Sequence, residues 1–537
     1  MRIAGRLLLI IFLFCFGGKV AGGQIPKKAI DVISYVFDLT VNDSNDSLVG
    51  ISTIQFKLLE DVKTVSFDLA GGRSNGKGMT VSQVTDGNSK LVFRHDNNQV
   101  KIEWTSSGKA GDVKLISIYY RGIPSDGLII AKNKYNHRTF FADNWPNRAH
   151  NWLACIDHPS DKATVEFIVT APLHYQVIAN GEQLEETNLN NHQKLTRYKE
   201  SVPLPMKVVV VGIADFAVQQ AGKVNGIPIQ SWVYPEDRFK GFQDYAIATT
   251  VLPFFIEQIG PYPYSKLANV QSKTIFGGME NAGAIFYFEN SVTGNGKLDA
   301  LVAHEIAHQW FGDMVTETHW SHVWLSEGFA TYLTHLYLES TFGADTLKVR
   351  MEDDRKAIQQ FTGKKTGPVV DSTITNYMDL LNANSYQKGG WVLHMLRGTV
   401  GDAVFRKGLK AFYSRYAGSN ASTEDFRKVM EEISGADLKQ FFRQWLYWPG
   451  HPELAISWTY DANRKSLLIT VNQLQKQLFQ FPLSVEIKMP DNKTINRMIS
   501  VKDKETILAI PATSKPLSIL ADPNVQLLFE GTVKERK

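Results

Sequence analysis

Cysteine is almost absent from this chain: 537 residues carry two, Cys15 and Cys155. A disulfide framework is therefore excluded as a source of stability, and the protein must depend on its cores. Charge of one sign is also missing. The formal net charge is +4, and it falls to +1 if a leader holding Arg2, Arg6 and Lys19 is removed. So balanced a charge gives no electrostatic case for nucleic acid or for an anionic membrane surface. Long apolar runs are lacking too. The longest, residues 7–16, has ten apolar residues and is too short to span a bilayer. There is no internal repeat and no low-complexity tract, and 43% hydrophobic against 21% charged residues describes a chain able to bury large cores.

The short apolar run has a reading of its own. Two arginines precede it and small residues, Gly17, Gly18, Ala21, Gly22 and Gly23, follow it. This order predicts a secretory signal over 1–23, an exported protein, periplasmic or secreted, and no stable membrane span after cleavage. An uncleaved N-terminal anchor is the competing reading. Cys155, within the apolar Trp152-Leu153-Ala154-Cys155-Ile156, reads as a buried structural thiol rather than a nucleophile.

The rest of the chain divides by periodicity. Alternating apolar and polar stretches at 33–41, 50–57, 65–69, 113–120, 164–170 and 207–212, separated by Asn-, Asp- and Gly-rich turns, predict a large antiparallel sheet domain over 24–221. Helical spacing then takes over at 239–259, 298–311, 325–339, 391–397, 403–416 and 438–448, with Ser422 and Asp425 forming a capping box for one more helix. Trp448-Pro449-Gly450-His451-Pro452 breaks this helical region, 222–449. Strand patterns return at 454–460, 466–471, 483–489 and 507–510, predicting a small β-sandwich over 450–537. The fold class is multidomain α+β.

Within the helical region, residues 304–308 read His304-Glu305-Ile306-Ala307-His308. On a helix, positions i and i+4 share a face, so both imidazoles point at one cation while Glu305 stands beside them, close to a water the metal would hold. A zinc site needs a third protein ligand and an open corner. Glu327 fits, 19 residues after His308 in Trp324-Leu325-Ser326-Glu327-Gly328-Phe329-Ala330, at the start of a second helix. Its bland alternative is an acid placed beside a helix N-terminus. His319 and His322 fall in the turn between the helices and read as supporting or surface residues. Asp313 is placed to orient a ligand histidine. One Zn2+ bound by His304, His308 and Glu327, with Glu305 as general base, makes a hydrolase of amides.

Reading a chain end needs a further group. Gly277-Gly278-Met279-Glu280-Asn281 offers paired glycines, which allow a close backbone approach, and a carboxylate able to meet an ammonium. Taken alone it is equally a glycine-rich turn with a solvated acid, and Tyr386 alone is a packing tyrosine.

These segments together, with Trp310-Phe311-Gly312 and Tyr386-Gln387-Lys388-Gly389, closely resemble the M1 family of zinc aminopeptidases over nearly all of the chain after the leader. The resemblance implies a saddle-shaped β domain followed by a thermolysin-like catalytic domain. It implies that Glu280 grips the free amine of a peptide substrate, that Gly277, Gly278, Met279 and Asn281 line its path, and that Tyr386 donates to the oxyanion. Family members carry a second polar residue in the β domain that helps hold the amine. In Phe141-Ala142-Asp143-Asn144-Trp145-Pro146 the resemblance implies Asp143, with Asn144 as the alternative. Many members continue into a large helical domain over the active site. This sequence ends after the predicted sandwich, so a more open site, or one covered by another subunit of an oligomer, is the expectation. An inactive binding scaffold, an epoxide hydrolase of the leukotriene A4 hydrolase type, and an endopeptidase are the alternatives to an aminopeptidase.

Overall fold

The computed structural model describes residues 28–536, and the predicted signal segment lies outside them. Among the described residues no helix is long and apolar enough to cross a membrane.

The N-terminal region is built on an eight-stranded sheet. Its central strand, Ile30–Thr40, buries alternate side chains (Tyr35, Phe37 and Leu39 on one face), as period-2 alternation requires. That strand runs antiparallel to Leu48–Leu58 but parallel to Lys162–Pro172, so the sheet is not wholly antiparallel as the pattern suggested. The parallel pairing joins stretches more than a hundred residues apart, which periodicity does not register. A four-stranded and a three-stranded sheet pack with it.

A second, five-stranded sheet carries the first part of the site. It begins with Ala217–Val224, slightly ahead of the boundary read at 221/222, and its strands Ile227–Val233, Leu267–Ser272 and Ala284–Phe288 are parallel neighbours. Its edge is the short strand Gly278–Met279, antiparallel to Ala284–Phe288.

Against this edge lies the helix Asp299–His308, followed by a turn and the helix Trp324–Phe342. The latter is buried on every side through Leu338, which explains its nearly unbroken apolar sequence. The stretch 239–259 is not one helix but two, Arg238–Tyr245 and Ala248–Gln258, the second containing Pro253, whose ring removes one backbone donor. The helix Ala344–Thr362, largely charged outside its buried Leu347, Met351 and Ile358, was not read from the sequence. Ser422 and Asp425 do form the expected capping box at Thr423–Ser434.

The C-terminal strands form a four-stranded and a three-stranded sheet with alternate residues buried, among them Leu467, Ile469 and Val471 facing Leu483, Val485 and Ile487 across the region's core. They are tied to the helices by Arg355, which donates to Asp522 and to the Leu527 carbonyl at 2.7 Å each, and by Lys388, which donates to the Gly450 carbonyl at 2.8 Å.

Candidate metal centre and active site

His304 and His308, one helical turn apart, bring their Nε2 atoms to 3.1 Å of each other. Glu327 arrives from the second helix, its Oε2 3.5 Å from His304 Nε2 and 3.2 Å from His308 Nε2. Donors bound to one zinc at about 2.0–2.1 Å in a tetrahedral arrangement stand about 3.3–3.4 Å apart. The observed spacing and the two-imidazole, one-carboxylate chemistry therefore fit a single divalent ion. His308 is oriented through its other nitrogen: Nδ1 lies 3.2 Å from the Phe311 carbonyl and 3.0 Å from the Ser326 hydroxyl.

Electrostatics explain why these groups tolerate burial together. Burial disfavours the His308 cation, but Glu327 and Glu280 outweigh it and raise the imidazole to about 10. Burial likewise pushes Glu327 up, yet the charge and hydrogen bonds of His308 and His304 hold its carboxyl well below the usual range. His304 is pushed down, chiefly by burial.

Two further carboxylates face the same space. Glu280 and Glu305 lie with His308 as a second set whose atoms fall within 4.8 Å of one another. Burial pushes Glu305 far above the ordinary carboxylate range, with His308 opposing and Glu280 adding to the rise. Glu280 rises for the same first reason. Its Oε1 is buried without a hydrogen-bond partner. Such a group is costly unless something supplies a donor. The strand Gly278–Met279 runs so close to the helix that a Cβ at Gly278 would overlap the Glu305 carboxylate, so any side chain there would displace Glu305.

Tyr386 stacks on His304, with ring centroids 6.0 Å apart and planes 13° apart. It sits in the π-helical turn Asn384–Lys388, which the close approach of Gly328 and Gly389 allows: a Cβ on Gly328 would come within 2.8 Å of the Gly389 Cα. Burial, with Glu327, Glu280 and Glu305 nearby, raises its hydroxyl far above its ordinary range.

The cavity bounded by these groups has a volume of ≈ 260 Å³. It contains His304, Glu305, His308, Glu327, Glu280, Gly277, Gly278, Met279 and Tyr386 in its lining. Asp143, Asn144 and Asn281 are not in the lining. Asp143 is fully buried, with Oδ1 2.7 Å from Arg148 and Oδ2 accepting from the Ile275 N–H at 3.0 Å and the Thr274 hydroxyl at 3.2 Å. Asn144 is likewise engaged, with the Met206 and Val209 carbonyls and the Trp152 indole. Both side chains are held in the protein interior by these contacts, away from the cavity lining. Asp143 instead anchors the base of the segment that leads to Glu280.

Asp313 does not orient His308, because the Phe311 carbonyl and Ser326 already occupy that nitrogen. It accepts from Gln309 at 3.0 Å. His319 caps the short turn Trp320–His322 through Ser321, and His322 meets the Thr423 hydroxyl at 2.9 Å.

Several supporting residues were missed from the sequence. Gln309, immediately after the second histidine, donates to the Glu280 carbonyl at 2.6 Å and accepts from the Gly283 N–H at 2.8 Å, pinning the loop that carries Glu280. Its place next to the zinc motif was the available signal. Behind it, Lys207 forms a buried two-pronged pair with Glu317 at 2.7 and 2.9 Å. Burial alone would lower Lys207, but Glu317 and Glu280 raise it. Lys162 donates to the Asp313 and Met314 carbonyls, and burial lowers it to about 7. Nothing in the local sequence marks either lysine.

The chain matches the Peptidase M1 N-terminal domain over residues 32–206 and the Peptidase family M1 domain over residues 244–445. It is similar to a protein named probable aminopeptidase 1 from Sulfurisphaera tokodaii, 25% identical over 493 residues, which are 88% of this chain and 59% of that protein. A leucyl aminopeptidase from Saccharolobus solfataricus is 26% identical over 84% of this chain and 58% of its own length. A glutamyl aminopeptidase from Bitis rhinoceros is 26% identical over 66% of this chain and 39% of its own length. The chain thus spans about half the length of these relatives.

Proposed function

Because this chain belongs to peptidase family M1, we propose that it is a zinc-dependent aminopeptidase that hydrolyses the N-terminal peptide bond of peptides. The observation that carries this reading is Glu280 Oε1, a buried carboxylate oxygen with no protein donor, in the same cavity as the metal set. An ammonium at the start of a peptide supplies the missing donor as a charge-assisted hydrogen bond.

His304, His308 and Glu327 would hold the ion. When bound, zinc lowers the pKa of a coordinated water and polarises a carbonyl oxygen. Glu305 acts as general base on the attacking water and returns the proton to the departing amine. Burial raises its pKa above the ordinary carboxylate range, the direction that makes a carboxylate a stronger base. The Gly277-Gly278 backbone aligns the peptide beside Glu305. Tyr386, protonated and next to His304, donates to the oxygen on which negative charge develops. Metal, base and amine-binding carboxylate in one cavity favour removal of a terminal residue over internal cleavage, over epoxide hydrolysis and over an inactive scaffold.

We also propose that the protein is exported, to the periplasm or beyond the cell. The support is the short apolar run 7–16 behind Arg2 and Arg6.

The test compares leucyl and N-acetyl-leucyl fluorogenic amides on wild type and Glu280→Ala, with and without a chelator. Wild type should cleave only the free-amine substrate, and only with metal. Glu280→Ala should lose about 10²-fold in kcat/KM on it, in keeping with a lost charge-assisted contact at a reacting centre. Equal cleavage of the acetylated substrate would instead favour an endopeptidase.

A further inference from the structure

The cavity has a second wall that hydrolysis itself does not use. Trp145 and Phe276 meet edge to face there, with ring centroids 6.0 Å apart and planes at 86°. Trp145 is 2% exposed and packs on Trp320 at 5.6 Å. Met279, Leu301 and Leu381 are the remaining apolar lining. Among the described residues, no lysine or arginine lines the cavity, and its acids are Glu280, Glu305 and Glu327.

The wall is held in place from both sides. Asp143 fixes the Ile275 N–H, next to Phe276, and is itself fixed by Arg148. The Arg148 Nε donates to the Trp145 carbonyl at 2.7 Å, and its guanidinium lies 5.8 Å from the Phe276 ring. One arginine therefore braces the segment carrying Trp145 and the residue it packs on.

In a peptide bound by its amine at Glu280, the first side chain leaves the same Cα as that amine, so it enters the space next to Glu280. A carboxylate placed there faces acids and finds no lysine or arginine in the lining, while zinc and the peptide's own ammonium would already be engaged by His304, His308, Glu327 and Glu280. An ammonium or guanidinium loses water against aromatic and aliphatic carbon, and the acids in reach are already committed to metal, base and amine roles. Burying an unpaired charge is disfavoured far more strongly than losing a methylene contact.

Resting on the aminopeptidase reading, we propose that Trp145 and Phe276 are specificity-determining residues. They select peptides whose first side chain is uncharged and apolar.

The experiment measures kcat/KM of the zinc-loaded full chain on leucyl, phenylalanyl, glutamyl and arginyl fluorogenic amides. The leucyl and phenylalanyl values should exceed the other two by about a hundredfold or more, the discrimination expected when a wrong substrate leaves a buried polar group unpaired. Glutamyl or arginyl rates within tenfold of leucyl overturn the assignment while leaving the activity intact. A chain that cleaves none of the four fails as an aminopeptidase and takes the assignment with it. Trp145→Ala, with zinc content and circular dichroism as folding controls, should lower the leucyl-to-glutamyl ratio about tenfold. Phe276→Ala, at a half-buried position, gives the same readout if the tryptophan variant does not fold. An unchanged ratio in a folded variant overturns the role of that residue.

Discussion

Two buried charged clusters act on Asp313, and the protein treats them differently. Lys207 and Glu317 close on each other with two short contacts, leaving both ends of the pair satisfied. Glu280, Glu305, Glu327 and the two histidines crowd together with an excess of acid, an imidazole at His308 raised to about 10 by Glu327 and Glu280, and Glu280 Oε1 without a donor. Asp313 stands between them, one oxygen on Gln309 and the other unpartnered. The closed pair costs the fold little more once formed. On the reading proposed above, an ion and a substrate amine would complete the open cluster, which is why its incompleteness points to a working site.

The sharpest way to break this contrast is to remove the base from the open cluster. Glu305→Gln should lower kcat by roughly 10²–10⁴-fold, the span that general-base groups contribute. Zinc content, measured by elemental analysis, should stay at one per chain because Glu305 is not in the His304, His308, Glu327 set. Residual activity near wild type would remove Glu305 from the reaction.

The complementary change is in the closed cluster, where the effect should fall on stability. Lys207→Met strands the Glu317 carboxylate and should cost about 3–5 kcal/mol in chemical denaturation, whereas Lys207→Met with Glu317→Leu should recover most of it, as for other buried pairs. If the single variant is as stable as wild type, the pair is not holding the domain together.

The smallest effect sharpens the account of the open cluster before metal arrives. The folded, metal-free His308 is raised to about 10, so it binds a proton at every pH below that value. Ligation requires the neutral ring. Zinc uptake at pH 7 should therefore release close to one proton, and affinity should rise about tenfold per pH unit up to about 10. Titration calorimetry in two buffers of different ionisation enthalpy measures this, and no proton release would contradict the pairing of His308 with Glu327 and Glu280.

Much of the site was legible because its information is local. His304 and His308 share a face by the helical repeat, and Ser422 with Asp425 announced a helix start that the fold contains. Gln309 was overlooked although it adjoins the motif, because its partners, the Glu280 carbonyl and Gly283 N–H, lie on another element. Asp143 shows the same limit from the other side. The family resemblance implies an amine ligand there, and the structure shows its oxygens accepting from Arg148, five residues on, and from Ile275 and Thr274, contacts that no local pattern announces. The helix Ala344–Thr362 was missed because its many charges dilute a narrow buried stripe.

By itself, the sequence determined the order of strand and helix regions, the pairing of two imidazoles on one helix, and the presence of a nearby acid. Those follow from repeats of 2 and 3.6 residues, which each segment carries within itself. Only the tertiary structure decided that Glu327 converges on the histidines, that Glu280 brings an unpartnered oxygen to the same cavity, and that Trp145 rather than Asp143 lines it. Burial and charge pairing depend on which distant segments meet, and that is not written in any one of them.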